Sequence, residues 1–145
     1  MAITFHRFPD NCLRGEKKRI KKWIESTALS KRKKTGTLAF FICSDEELVK
    51  INKEFLQHST YTDIITFDYS SSTEISGEIY ISWERVKENA QKFTINAEEE
   101  LKRVLIHGVL HLCGLKDKNE KEKQNMRKQE NIALKLYKDC FNNLT

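Results

Sequence analysis

No run of apolar residues approaches the roughly 18 that a transmembrane helix needs, so the chain holds no candidate membrane span. No Cys-x-x-Cys pair occurs either. Cys12, Cys43, Cys113 and Cys140 stand far apart and read as small buried residues of a reducing compartment, not as a disulfide framework. Repeats, low-complexity tracts and linkers are missing. The single proline, Pro9, falls in a turn-forming Pro9-Asp10-Asn11. The first residues, Met1 to Arg7, lack the pattern of a signal peptide and read as a strand, which points to the cytoplasm. What these absences leave is one domain, residues 1–145, long enough to bury a core.

Charge is present and unevenly placed. The net charge is +5, yet the segment from Arg14 to Lys34 alone carries ten Lys/Arg against two Glu. Such a concentration attracts polyanions and makes their binding salt-dependent. The same pattern also suits a solvated helix face, and composition alone leaves both readings open.

The periodicities alternate between strand and helix. Ile3 to Phe8 reads as a strand and Cys12 to about Leu29 as a helix, with Leu13, Ile20, Trp23, Ile24 and Ala28 on its apolar side. After a basic loop, the run Thr37 to Cys43 reads as a central strand. Ser44 and Glu47 form a capping box that opens a helix carrying Leu48, Ile51 and Phe55. Thr60 to Asp68 begins as loop and becomes strand, and Gly77 to Ser82 reads as a strand. Ser82, Asn96 and Asn119 each stand at a helix start. Met126, Ala133, Leu136, Tyr137, Cys140 and Leu144 form the apolar stripe of the last helix. The order strand, helix, strand, helix, two strands, three helices implies one mixed sheet with helices packed on it.

The chemistry concentrates in the helix after Asn96. It is apolar nearly all round, as a buried helix is. His107 and His111 lie within it at i and i+4, which sets both imidazoles on one face. Gly114 ends the helix, and a turn there brings Asp117 back toward the histidines. Two imidazole nitrogens and one carboxylate oxygen make a three-ligand zinc site with an open position, the form of a catalytic zinc. Hydrogen-bonded core histidines are the competing account of the pair. Cys113, two residues past His111, points away from this face. The residue after the first histidine is Gly108, where a zinc protease of the His-Glu-x-x-His type has its general base. A protease reading thereby loses its base, and Gly108 is left free for close approach of a backbone or a substrate.

The stretch His107 to Gly114 resembles the signature of the YbeY family, metal-dependent endoribonucleases of bacterial ribosomal RNA maturation. That signature runs His-Gly-x-Leu-His-Leu-x-Gly-Tyr-Asp-His. The first eight positions match; Leu115, Lys116 and Asp117 stand where the family has Tyr, Asp and a third His. Aspartate is still a zinc ligand, though its charge makes a bound water a weaker acid. A second block matches at Ile51, Asn52, Phe55 and at Thr62 to Phe67, and a third at Gly77 to Ser82. Leu56 takes the place of a family arginine that faces the metal cleft, so another cation must stand in or activity is weaker; His58, Lys116 and Lys118 are nearest in sequence.

The resemblance implies an α+β fold, a single compact domain with a small mixed sheet of about four strands and about five helices. It implies a zinc-dependent, single-strand-specific endoribonuclease of small-subunit ribosomal RNA maturation and ribosome quality control, with the small subunit or its proteins as partners and no membrane. His107, His111 and Asp117 would act through a water on the metal, attacking directly or leaving attack to the RNA 2′-hydroxyl. Glu78 and Asp63 are candidate proton acceptors or partners that orient a ligand histidine, or else strand-end carboxylates bonded to backbone. His58 is a further candidate. Tyr61 and Trp83 could stack on bases or simply pack. The alternative from another class is a non-catalytic ribosome-associated factor that binds RNA or protein and keeps a structural metal.

Overall fold

The computed structural model describes residues 2–55 and 62–141. Leu56, His58, Tyr61 and Leu144 lie outside the described residues. Among the described residues four strands form one mixed sheet: β1 Ala2–His6, β2 Lys34–Cys43, β3 Ile64–Asp68 and β4 Glu74–Ser82. Their order is β1-β2-β4-β3, with β1, β2 and β4 parallel and β3 antiparallel to β4. Among the described residues five α-helices accompany them: α1 Lys17–Ser30, α2 Asp45–Phe55, α3 Trp83–Phe93, α4 Ala97–Leu112 and α5 Glu120–Leu136. A π-helical turn, Tyr137–Phe141, follows α5. This is an α+β fold, in the element order that the periodicities imply.

β4 sorts the two sheet faces by its alternation. Ile75, Gly77, Ile79 and Ile81 are buried on the face that α4 covers. Tyr80 lies on the opposite face, packed with Phe41 and Phe67 against a smaller cluster of Leu48 and Ile65 beneath α2. α4 is the middle of the larger core. Leu101, Leu105 and Val109 are wholly buried there, and burying each side chain stabilises the fold by about 1.5–3 kcal/mol. Its start is capped by Asn96, which accepts from the Glu99 N–H at 2.8 Å. α2 carries the full Ser44–Glu47 capping box, and α5 carries one from Asn119 and Glu122.

Four boundaries differ from the sequence expectation: β1 ends at His6, not Phe8, β4 begins at Glu74, not Gly77, and the starts of α1 and β2 move as well. α1 begins at Lys17, not Cys12, because Leu13 (φ 56°) and Gly15 (φ 77°) take left-handed conformations that no helix accommodates. The turn lets Leu13 drop its side chain fully into the core, with its N–H bonded to the Glu98 carboxylate. β2 begins at Lys34, whose N–H pairs with the Thr73 carbonyl and draws the end of the basic loop into the sheet. The cysteines also divide: Cys12 and Cys43 are buried, Cys113 is half-buried, and Cys140 is exposed on the π turn, where the widened helix rotates it off the stripe.

Gly108 has a structural use. A Cβ there would lie 3.0 Å from Ile79 Cδ1 and 3.2 Å from Ile64 Cδ1, so the glycine lets α4 rest directly on β3 and β4. It faces the sheet and not a substrate. Alanine in a helix is worth about 1 kcal/mol more than glycine, but overpacking a filled core costs about 1–3 kcal/mol. Gly108→Ala is therefore expected to lower the free energy of unfolding by about 1 kcal/mol net. Denaturant titration checks this; a stabilised variant would mean that the helix–sheet contact is looser than described.

Candidate metal centre

α4 ends in a Schellman motif. The Gly114 N–H bonds the His111 carbonyl at 2.9 Å and the Leu115 N–H bonds the Leu110 carbonyl at 3.0 Å, with Gly114 at φ +105°. The reversal returns the chain along the helix and sets Asp117 beside the histidines. Asp117 Oδ2 lies 3.4 Å from His107 Nε2 and 3.3 Å from His111 Nε2. All three ligand atoms fall within 4.8 Å of one another. Tetrahedral zinc with bonds of 2.0–2.1 Å holds its ligand atoms about 3.3 Å apart, so the spacing and the donor set suit such an ion.

The opposite ring atoms fix the tautomers. His107 Nδ1 lies 2.6 Å from Glu130 Oε2, and His111 Nδ1 lies 3.0 Å from the Leu115 carbonyl. A carboxylate and a carbonyl only accept, so both Nδ1 atoms carry the hydrogen. A ring with its hydrogen on Nδ1 keeps Nε2 for a metal, and in both histidines Nε2 is the atom that faces Asp117.

Glu130 comes from α5, and its side chain is only 6% exposed. Burial works to raise its carboxyl, but the bonds from His107 and Arg103 (2.9 Å) outweigh burial and hold it below the ordinary carboxylate range. For His107 the balance runs the other way: burial opposes a positive charge, yet Glu130, Asp117 and Asp63 lift the imidazole above its usual value. Asp63 lies just before β3, in the wall of the same cleft, and its backbone carbonyl accepts from the Ser82 N–H at 2.9 Å. Burial pushes the Asp63 carboxyl up, with His107 pulling against it. The cleft has a volume of about 860 Å³ and runs from the triad past Glu100 and Arg103 to Asn52, Asn89 and Phe93.

The family model described as Endoribonuclease YbeY matches residues 10–138 of this chain. The chain belongs to that family. Endoribonuclease YbeY of Flavobacterium psychrophilum is 48% identical over 135 residues, covering 93% of this chain and 96% of that protein. Endoribonuclease YbeY of Christiangramia forsetii is 52% identical over 115 residues, covering 79% and 80%. Among solved structures, the solution structure of TM1509 from Thermotoga maritima superposes with a TM-score of 0.66 at 27% identity, covering 95% of this chain and 91% of that one.

Within this YbeY-family fold the candidate residues separate. His107, His111, Asp117 and Asp63 share the cleft. Glu78 does not: it alternates out of phase with Gly77 and Ile79, which face α4, and accepts from the Tyr80 hydroxyl at 3.3 Å on the other side of the sheet. Trp83 is half-buried against the core, and His58, Leu56 and Tyr61 are outside the described residues. The basic segment lines none of the cleft; its charges are partly spent on local bonds, as with Lys33 on the Ser72 carbonyl. No described helix is long and apolar enough to cross a membrane. Sequence reasoning missed Glu130, Arg103 and Arg127. A glutamate inside the Met126–Ala133 stripe was the available signal, since a buried charge requires partners.

Removing the Glu130 carboxylate frees the His107 ring to change tautomer. Glu130→Ala is expected to weaken zinc binding by about 10–100-fold, and Glu130→Gln, which keeps an acceptor oxygen, by less. Competition titration against a zinc chelator measures both. Unchanged affinity in Glu130→Ala would show that the bond does not orient a ligand.

Proposed function

We propose that the protein is a zinc-dependent endoribonuclease specific for single strands, acting in the maturation of small-subunit ribosomal RNA and in ribosome quality control. His107, His111 and Asp117 hold the ion. The observation that carries this reading is the convergence of two imidazole lone pairs and a carboxylate at zinc-ligand spacing in an open cleft, in a member of the Endoribonuclease YbeY family. When bound there, zinc supplies Lewis acidity and positive charge to a phosphodiester.

The chain's own groups do the rest. Glu130 and the Leu115 carbonyl hold the two rings in place. Asp63 takes the proton of the attacking hydroxyl, whether water or the RNA 2′-hydroxyl. A carboxyl lifted by burial is a better base than an exposed one. The substrate on this reading is an unpaired RNA strand, and the working location is the cytoplasm, on small-subunit particles.

Cleavage of a labelled single-stranded oligoribonucleotide tests the reading. Zinc-loaded wild type should cut, and His111→Ala and Asp117→Ala should each lose more than about a hundredfold in rate. Equal cutting by all three would trace the activity to a contaminant and sink the hydrolase reading in favour of a binding factor.

The pH profile gives a separate check on Asp63. A base must be deprotonated to work, so a raised pKa moves the acid limb of the rate upward from the ordinary 3.8. Asp63→Asn should remove that limb and slow cleavage by about 10²–10⁴-fold. An unaltered limb in the variant would exclude Asp63 as the base.

A further inference from the structure

The charge of the cleft has the wrong sign for its substrate. Among the described residues, five carboxylates line it, those of Asp63, Asp68, Glu100, Asp117 and Glu130, against two guanidiniums, Arg103 and Arg127. RNA is a polyanion, and one divalent cation offsets only part of this excess. Glu100 adds to the difficulty: it is buried, and its Oε1 has no hydrogen-bond partner among the described residues. A phosphate entering the cleft therefore needs a cation that is not already neutralised.

Arg103 is neutralised. Its Nη1 lies 2.9 Å from Glu130 Oε1 and its side chain is 23% exposed. Arg127 is held only in a loose, exposed ion pair. It sits on α5 three residues before Glu130, with Nη1 3.6 Å from the same oxygen, too far for a hydrogen bond. Its side chain is 54% exposed, and no hydrogen bond engages it among the described residues. Its five N–H donors form a planar fork that matches two oxygens of a phosphate. Because Arg127 and His107 both approach Glu130, one on each carboxylate oxygen, the guanidinium stands beside the triad.

We infer that Arg127 is a phosphate anchor, which grips the RNA phosphodiester next to the one at the His107–His111–Asp117 centre. This deepens the nuclease reading and rests on it. The anchor belongs to α5. The lysines and arginines of α1, the richer source of positive charge, line no part of the cleft.

The test is binding of a fluorescently labelled single-stranded oligouridylate, read by anisotropy in EDTA across a salt series, with cleavage followed separately in zinc. Arg127→Ala should raise Kd by about tenfold at low salt and reduce the slope of log K against log salt by about 0.7, the value for one phosphate contact on a single strand. Arg127→Lys should restore the slope and only part of the affinity, since lysine keeps the charge but not the fork. A Lys18→Ala/Lys22→Ala double variant on the exposed side of α1 should match wild type. An unchanged Kd and slope in Arg127→Ala, with RNA still cut, overturns the anchor and leaves the nuclease reading standing. An Arg127-dependent slope without any cleavage by wild type keeps the anchor and removes the nuclease. If wild type neither binds nor cuts, both fall.

Discussion

Everything in the cleft depends on how closely α4 lies on the sheet. The contact is made at Gly108, between the two histidines, where helix backbone meets the isoleucines of β3 and β4. A helix held at that distance has no freedom to roll. The imidazoles at i and i+4 are then fixed in height and direction by packing that involves neither of them. The wholly buried side chains of α4 provide the stabilisation, and the histidine face emerges as the one stripe of the helix that is not consumed by it. Most polar groups on this otherwise apolar helix are answered, His107 by Glu130, His111 by the Leu115 carbonyl and Arg103 by Glu130; the buried Glu100 Oε1 is the exception among the described residues.

The cleft is also where the fold is least at ease with itself. Asp63 and Glu100 are carboxylates raised by burial, and a group protonated more readily in the folded state is penalised when it ionises. At neutral pH both oppose folding relative to exposed carboxylates. Such concessions gather at functional sites, where charge is kept for a ligand and not for stability. The rest of the core shows little of this kind, being built from aliphatic and aromatic side chains with Trp23 bonded to the Ala133 carbonyl at 2.7 Å.

Local signals were legible in the sequence and distant ones were not. The i, i+4 histidines, the glycine stop and the return of Asp117 all lie within eleven residues, where helix geometry and capping rules decide the arrangement. The capping boxes and the order of elements were readable for the same reason. Glu130 lies 23 residues from His107, and nothing local says which face of α4 it meets. Glu78 shows the converse: strand alternation reports that it opposes Ile79 but not which face carries the cleft. The start of α1 was misplaced because a left-handed leucine has no compositional signature. Charge density carries no direction, so composition could not say that the basic segment lies away from the cleft.

The helix hairpin has a thermodynamic consequence. Asp117 belongs to the connection between α4 and α5, and Glu130 to α5 itself, while the histidines belong to α4. A cation on the triad would tie the connection to α4 directly and reach α5 through the Glu130–His107 bond. Occupancy of the site and docking of α5 become a single linked equilibrium, in which free cation stabilises the closed hairpin by RT ln(1 + [L]/Kd).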